Sequence, residues 1–494
     1  MTKHEIALQN AEQALQEQIK KTSAAKHRQL WHFSPKAGWM NDPNGLIYFK
    51  GKYHLFYQFN PYGAKWSAMH WGHAISEDLV NWEHLPIALA PSEPYDNHPQ
   101  GGCFSGSAVD DHGVLTLIYT ATTNYGEGFV QSQCIATSED GIHFEKYTGN
   151  PVIPEPPTCG SKDFRDPKVW KHQDQWYMVV GSSKDQKGKA LLYRSADLRH
   201  WSFVNTLCES RGELGTMWEC PDFFEIGDKH VLMFSPMGLG ERKTVYLVGD
   251  MDYKTGKFNY QSTGEVDWGF DFYAPQSMID NKGRRIVVAW ANAWDWMPWW
   301  KDFGPTEKEG WCGSLSFPRQ IKLMDDGKLQ FIPVEEIEKL RVSEKESVNL
   351  ELLNEKRLSL PASGKIAYEM EIELDLKNSD AKQVVIDLKA DDEKSTKICC
   401  DLAYAEISID RSNSDGWSTG ISRCPLESAG KSKLMIHVLV DKSYVEVYTD
   451  HYRTVLSSNI FSDGKATQAF ISAVDGKLRG KATCYELGSM KIVG

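Results

Sequence analysis

Three hydrophobic rhythms divide the chain. Near the N-terminus the apolar positions Leu8, Ala11, Leu15 and Ile19 recur at helical spacing, and Thr2 with Glu5 matches a capping box, which predicts a helix over 2–24. Its apolar stripe is too narrow to stand alone in water. The helix therefore packs on the rest of the chain or on a second subunit of a homo-oligomer. From residue 28 onward, short apolar runs alternate with Gly, Asp and Asn turns, the pattern of strands. Five runs are of one kind: Tyr53–Phe59, Leu115–Ala121, Trp176–Ser182, His230–Pro236 and Arg285–Ala291, with starts 62, 61, 54 and 55 residues apart. A second echo, Ser76–Trp82, Ser138–Phe144 and Ser195–Trp201, follows three of them. Repeats of this period, made only of strands and turns, predict stacked blades.

Beyond Pro333 a charged stretch gives way to strict alternation: Ile366, Tyr368, Met370, Ile372, Leu374 and Leu376, then Leu434, Ile436, Val438 and Val440, with a turn at Asp441–Ser443 into Val445 and Val447. Period two marks half-buried antiparallel strands. The predicted class is all-β: an N-terminal helical extension (1–27), a five-bladed β-propeller (28–337), a linker (338–350) and a β-sandwich (351–494).

Composition narrows the function. Hydrophobic residues make up 41% and charged residues 25% of the 494, which excludes a disordered or collagen-like chain. A formal charge of −12 disfavours phosphate backbones and anionic membranes, and no apolar run approaches the roughly 18 residues of a membrane span, so neither nucleic acid nor membrane is an expected partner. The 17 Trp, 20 Tyr and 20 Phe suit a large β core or a site that stacks sugar rings. Ten Cys without CxxC spacing, behind an N-terminus with no secretory apolar segment, predict reduced thiols and a cytoplasmic protein. His70 and His73 fall on opposite faces of a strand-like run, which argues against a metal site, and no motif implies a cofactor.

The chemistry is carried by phase. Asp42, Ser105, Asp166, Glu219 and Tyr273 precede the five repeated runs by 11, 10, 10, 11 and 12 residues. Equal phase in each blade means equivalent places around one axis. Three carboxylates from blades 1, 3 and 4 would then face one another across a funnel, with Ser105 and Tyr273 completing the ring. Crowded like charges raise at least one pKa, and a carboxylate set with one protonated member is what glycosidic cleavage needs. Asp42 and Asp166 also precede proline, which biases both to extended backbone.

At these residues the chain resembles glycoside hydrolase family 32, the β-fructosidases. Trp39-Met-Asn-Asp-Pro-Asn-Gly45 is similar to that family's N-terminal signature, and Phe104–Gly106, Arg165–Pro167 and Trp218–Cys220 to its later ones. Gly310–Arg319 and Asp441–Val447 resemble segments closing its propeller and lying in its sandwich. The resemblance implies a retaining double displacement on sugar substrates. Asp42 would be the nucleophile, Glu219 the acid/base, and Asp166 with Arg165 the holder of fructose hydroxyls and transition-state stabiliser. It also implies a fructose pocket lined by Asn41, Gln58, Trp66, Phe104, Ser105, Tyr273 and Trp290. The expected activity is exo-hydrolysis of sucrose and short fructo-oligosaccharides. Sucrose-6-phosphate hydrolysis is the nearest rival. A sugar-binding propeller without chemistry and an inverting arabinan hydrolase stand further off.

Overall fold

The five repeated runs each lie in the second strand of a sheet. The computed structural model describes residues 1–22, 25–126, 128–240, 242–294, 302–354 and 356–491, and all structural statements below refer to these. Among them the strands form seven sheets. The inner strands of five sheets, Gly38–Phe49, Gly102–Asp111, Phe164–His172, Met217–Ile226 and Tyr273–Ile279, touch one another in sequence, and the fifth returns to the first. That closed ring is a five-bladed propeller. Blade 1 gains a strand from far along the chain: Trp311–Cys312 pairs in parallel with Gly38 and Trp39.

The second echo marks the turns into the outer strands. Ser76 Oγ accepts from Leu79 N at 2.9 Å, Asp78 Oδ1 from Asn81 N at 2.9 Å, and Trp82 Nε1 donates to Leu79 O at 2.9 Å. Ser138 with Asp140, and Ser195 with Asp197, repeat the arrangement. Side-chain oxygens that mimic a backbone turn explain why Ser and Asp recur at one spacing.

The remaining two sheets, six strands each, form the sandwich. Tyr368, Met370, Ile372 and Leu374 are fully buried, as alternation predicts. The strand is shorter than the pattern, Tyr368–Asp375. Ile366 stays 43% exposed before it, and Leu376 opens a 3₁₀ turn that Asp375 caps. Arg319 of blade 5 lies wholly buried where the domains meet. It reaches Asp267 Oδ2 (2.9 Å), Glu446 Oε1 (3.0 Å), Ser457 Oγ (2.8 Å) and Tyr448 OH (3.1 Å). A buried guanidinium with every neighbour an acceptor resists separation of the domains, since removing one partner strands a charge.

The N-terminal helix, Lys3–Ile19, is capped at Thr2 by the reciprocal Thr2–Glu5 bonds that the sequence suggests. It ends before residue 24, and positions 23 and 24 lie outside the described residues. It packs on the outer strand of blade 1, Trp82–Leu89. There Glu12 Oε1 accepts from Ile87 N at 2.6 Å and His4 Nε2 from Ala90 N at 3.2 Å. Burial drives the His4 pKa down to about 3, which keeps the ring neutral and able to accept. The helix thus covers a sheet edge with side-chain acceptors. Deleting residues 1–24 is expected to lower Tm while the propeller still folds. Glu12→Ala alone should cost about 1–2 kcal/mol in urea unfolding, the usual loss for a buried N–H deprived of a charged acceptor.

Candidate active site

Every inner strand carries a bulge at the phase singled out in the sequence. Pairing with the second strand slips between Met40 and Pro43, Phe104 and Gly106, Arg165 and Lys168, Glu219 and Asp222, and Tyr273 and Gln276. A bulge re-aims the side chains beside it. In blades 3, 4 and 5 the bulge holds a non-glycine residue at positive φ directly before a proline: Asp166 (65°), Cys220 (48°) and Ala274 (53°). Asp166 is therefore not extended. The preference of a pre-proline residue is overridden, and such strain persists only where the surroundings fix it. What fixes it here is hydrogen bonding from the preceding blade. Asp166 N donates to Thr120 Oγ1, Cys220 N to Asp166 Oδ2 and Ala274 N to Ser235 Oγ, each at 2.9 Å.

These bulges bring Asp42, Asp166 and Glu219 to the wall of one pocket of about 660 Å³ at the propeller axis. Ser105 Oγ donates to Asp42 Oδ2 at 2.6 Å, while Asp42 Oδ1 is buried with no hydrogen-bond partner. Cys220 Sγ lies 3.5 Å from Oδ2 of both Asp42 and Asp166, so one thiol bridges the two carboxylates. Glu219 is held from two sides. Arg165 gives Nη2 (2.9 Å) and Nε (3.1 Å) to Oε1, and the Tyr273 hydroxyl donates to Oε2. Asp163 Oδ1 steadies the same guanidinium at 2.9 Å.

Burial pushes the Asp42 carboxyl up to about 6 against the pull of its Ser105 hydrogen bond, with Glu219 adding to the rise. Burial likewise lifts Asp166 to about 7, opposed by Arg165 and helped by Glu219 and Asp42. The predicted rise is present, but desolvation is its largest cause and crowding a smaller one. Burial and the Glu219 charge hold the Tyr273 phenol well above its usual value, so it stays a donor.

Asn41, Gln58, Trp66, Phe104, Ser105, Arg165 and Tyr273 all line this pocket. Asn41 Oδ1 is set by Trp39 Nε1 at 2.8 Å, and Gln58 Nε2 by Cys103 O at 2.9 Å. Trp290 is the exception. It is fully buried behind the wall, 5.9 Å from Trp39 and 6.4 Å from Tyr273 between ring centroids, and Trp294 takes the place at the surface. Gln100, Thr122, Phe129, Gln131, Lys162, Asp163 and Met237 also line the pocket. Apart from Lys162, which the sequence offers as a rim lysine, sequence reasoning missed them because they stand at strand ends or in loops without a repeated phase. Asp163, two residues before Arg165, was the most accessible to it. Another cluster, Glu369, Glu371 and His437, has metal-ligand chemistry but sits in the sandwich. There Arg341 Nε already occupies Glu369 Oε2 at 2.8 Å and His437 Nε2 lies 3.1 Å from Oε1, an ion-pair network across two strands.

Comparison with known proteins agrees with this geometry. Residues 32–333 match the model of the glycosyl hydrolases family 32 N-terminal domain, and residues 336–486 match that of the family 32 C-terminal domain. The protein is a glycoside hydrolase. It belongs to family 32. It is 39% identical over 475 residues to a sucrose-6-phosphate hydrolase of Zymomonas mobilis, covering 90% of this chain and 89% of that one. It is 38% identical over 467 residues to a raffinose invertase of Escherichia coli, covering 90% and 92%. Among solved structures, the Bombyx mori β-fructofuranosidase BmSUC1 superposes with a TM-score of 0.84 at 34% identity, over 99% of this chain and 100% of that one. A variant of that enzyme is solved in complex with sucrose.

The raised carboxyl at Asp42 carries a stability cost with a definite sign. Between its ordinary value of 3.8 and about 6 the folded state holds a proton that the unfolded state has lost, so stability falls as pH rises through this window. Asp42→Asn removes the buried charge. It is expected to raise unfolding free energy by roughly 1–3 kcal/mol at pH 7.5 and by almost nothing at pH 3.5, as read from denaturant midpoints at the two pH values.

Proposed function

We propose that this chain is a retaining, exo-acting β-fructofuranosidase that releases fructose from the non-reducing end of sucrose and short fructo-oligosaccharides. The observation that carries the reading is the unequal treatment of two carboxylates on one pocket wall. Asp42 keeps Oδ1 free of any protein partner, while both oxygens of Glu219 are held by donors. A nucleophile needs an unencumbered oxygen, and Ser105 on the other oxygen orients it. Glu219, oriented by Arg165 and Tyr273, would in its protonated form give its proton to the departing sugar, become the carboxylate that these donors hold, and then take a proton from water. Asp166 suits the fructose hydroxyls and the positive charge that grows at the anomeric carbon, and Arg165 orients the carboxylates around it. Fructose at a chain end is the unit that a pocket of this size, lined by residues of all five blades, would take. A reducing compartment suits the ten cysteines, all of them thiols.

Sucrose-6-phosphate is the second reading. Relatives bearing that activity in their names support it, and so does Lys162, an exposed residue of the pocket wall. Lys184, the second lysine that the sequence offers for the rim, lies outside the pocket lining, and its Nζ donates to Thr158 O. A panel of sucrose, sucrose-6-phosphate, kestose, inulin, levan and an arabinan with fructose detection should show release from sucrose and kestose. No release from any sugar would leave a binding protein, and a large preference for the phosphate ester would promote the second reading. NMR of the first-formed fructose should show the β anomer; an initial α product would overturn retention.

The carboxylates should also fail differently. Glu219→Gln is expected to lose about 10²–10⁴-fold in kcat on sucrose but far less on a fructoside with an activated leaving group, with azide restoring turnover. Asp166→Asn should lose kcat and kcat/KM together whatever the leaving group. Relief of Asp166→Asn rather than Glu219→Gln by the activated substrate would reverse the acid assignment.

A further inference from the structure

The segment that delivers Tyr273 to the active site is anchored in the other domain. Asp271, two residues earlier in blade 5, is fully buried, and its Oδ2 takes Nη1 of Arg411 at 2.8 Å and the backbone N–H of Asn459 at 2.7 Å. Both donors belong to the sandwich. Asp271 N donates to Ser457 O at 3.1 Å, and its carbonyl accepts from the Tyr444 hydroxyl. The Arg411 guanidinium also lies 3.8 Å over the ring of Phe270 and donates to Thr419 O at 3.2 Å. At Gly269 the two backbones come so close that a Cβ would stand 2.0 Å from Ser457 N. Residues 269–271 are thus clamped from the sandwich side, while Phe272 O accepts from Thr244 Oγ1 of blade 4 at 3.1 Å. The next residue aims its hydroxyl at Glu219 Oε2, and the one after it sits at positive φ with its N–H on Ser235.

We propose that Arg411, in the sandwich, is a positioning residue for the reaction: by holding Asp271 it fixes where the Tyr273 hydroxyl meets Glu219. The argument is geometric. Tyr273 has no second hydrogen bond among the described contacts, so the place of its ring follows from its packing against Trp290 and from its backbone. That backbone is tied on one side to Ser235 and on the other, through Asp271, to Arg411. A guanidinium that bonds a carboxylate, a carbonyl and a ring face at once holds one orientation, which a flexible side chain would not. A misplaced Tyr273 would leave Oε2 of the acid/base unheld, and an error near 1 Å at a proton-transferring group is costly.

The inference rests on the β-fructofuranosidase reading, and the test separates the two. Arg411→Met is made alone and with Tyr273→Phe, and assayed on sucrose and on 4-nitrophenyl β-fructofuranoside, with Tm measured for each protein. The expected result is a folded variant whose kcat on sucrose falls roughly tenfold with KM little changed. The loss should shrink on the activated substrate, which needs no proton, and Arg411→Met should add no further loss in the Tyr273→Phe background. A variant that only loses Tm, one that loses equally on both substrates, or full additivity with Tyr273→Phe would overturn the positioning role. If Arg411→Met does not fold, Asp271→Asn takes the same readings, since it keeps an acceptor for Asn459 and removes the charge that holds Arg411. Absent turnover in the unmodified chain would overturn the β-fructofuranosidase reading, whereas unchanged turnover in a folded variant would overturn only the positioning.

Discussion

A backbone N–H freed from its ladder in one blade and accepted by a side chain of the blade before it is the interaction on which the active site rests. Bulging an inner strand leaves donors without partners, and a buried unpaired donor costs about 1–3 kcal/mol. Thr120, Asp166 and Ser235 supply the acceptors. The same bond closes a seam of the ring and holds a strained residue in place. Asp166 does both at once: it is turned into the pocket by one such bond and accepts the next. The proline after each strained residue has no N–H to satisfy, so the bulge costs one donor fewer than it would with any other residue.

Two buried, raised carboxylates are the other side of this construction. Asp42 and Asp166 reach the pocket at the expense of hydration, and few groups compensate: a serine hydroxyl, the Asn41 side chain and a thiol for one, an arginine, a backbone amide and the same thiol for the other. Glu219 is better supplied, with a guanidinium and a phenol. The three groups therefore differ in character, and Glu219 stands one residue before the position that Asp166 holds in its own blade. The proposed division between an acid and a nucleophile asks for such a difference in environment.

The architecture was legible in the sequence because propellers repeat. Each second strand recurs at a readable interval, and the residue some 10–12 positions before it falls on the bulge. Phase therefore located Asp42, Ser105, Asp166, Glu219 and Tyr273 without coordinates. What phase does not carry is depth. Trp290 sits at the end of a repeated run but lies behind the wall, because the aromatic layer between Trp39 and Trp294 fills the space in front of it. Backbone sign was also illegible. Asp-Pro reads as extended locally, and only the Thr120 acceptor one blade away makes φ positive at Asp166. The outer pocket residues come from strand ends and loops, where no periodic signal accumulates. The docking of the helix uses Leu8, Ala11 and Leu15 of the predicted stripe, but also Glu12 and His4, two polar residues that an apolar stripe does not report.

The parallel pairing of Trp311–Cys312 with Gly38 and Trp39 has a bearing on synthesis. A propeller made blade by blade stays an open fan until a segment from its last blade returns to its first sheet. During that interval the edge at Gly38–Trp39 offers unpaired backbone, and blades 1 and 5 present uncovered apolar faces to each other and to neighbouring chains. Closure joins positions separated by most of the domain, a contact of high sequence separation that local structure cannot hasten. The ring therefore locks late and all at once. Because all five blades contribute to the pocket, a nascent chain has no complete active site before Trp311–Cys312 is seated, and the outer strands of blade 5, Arg319–Leu323 and Leu329–Pro333, follow it in the chain.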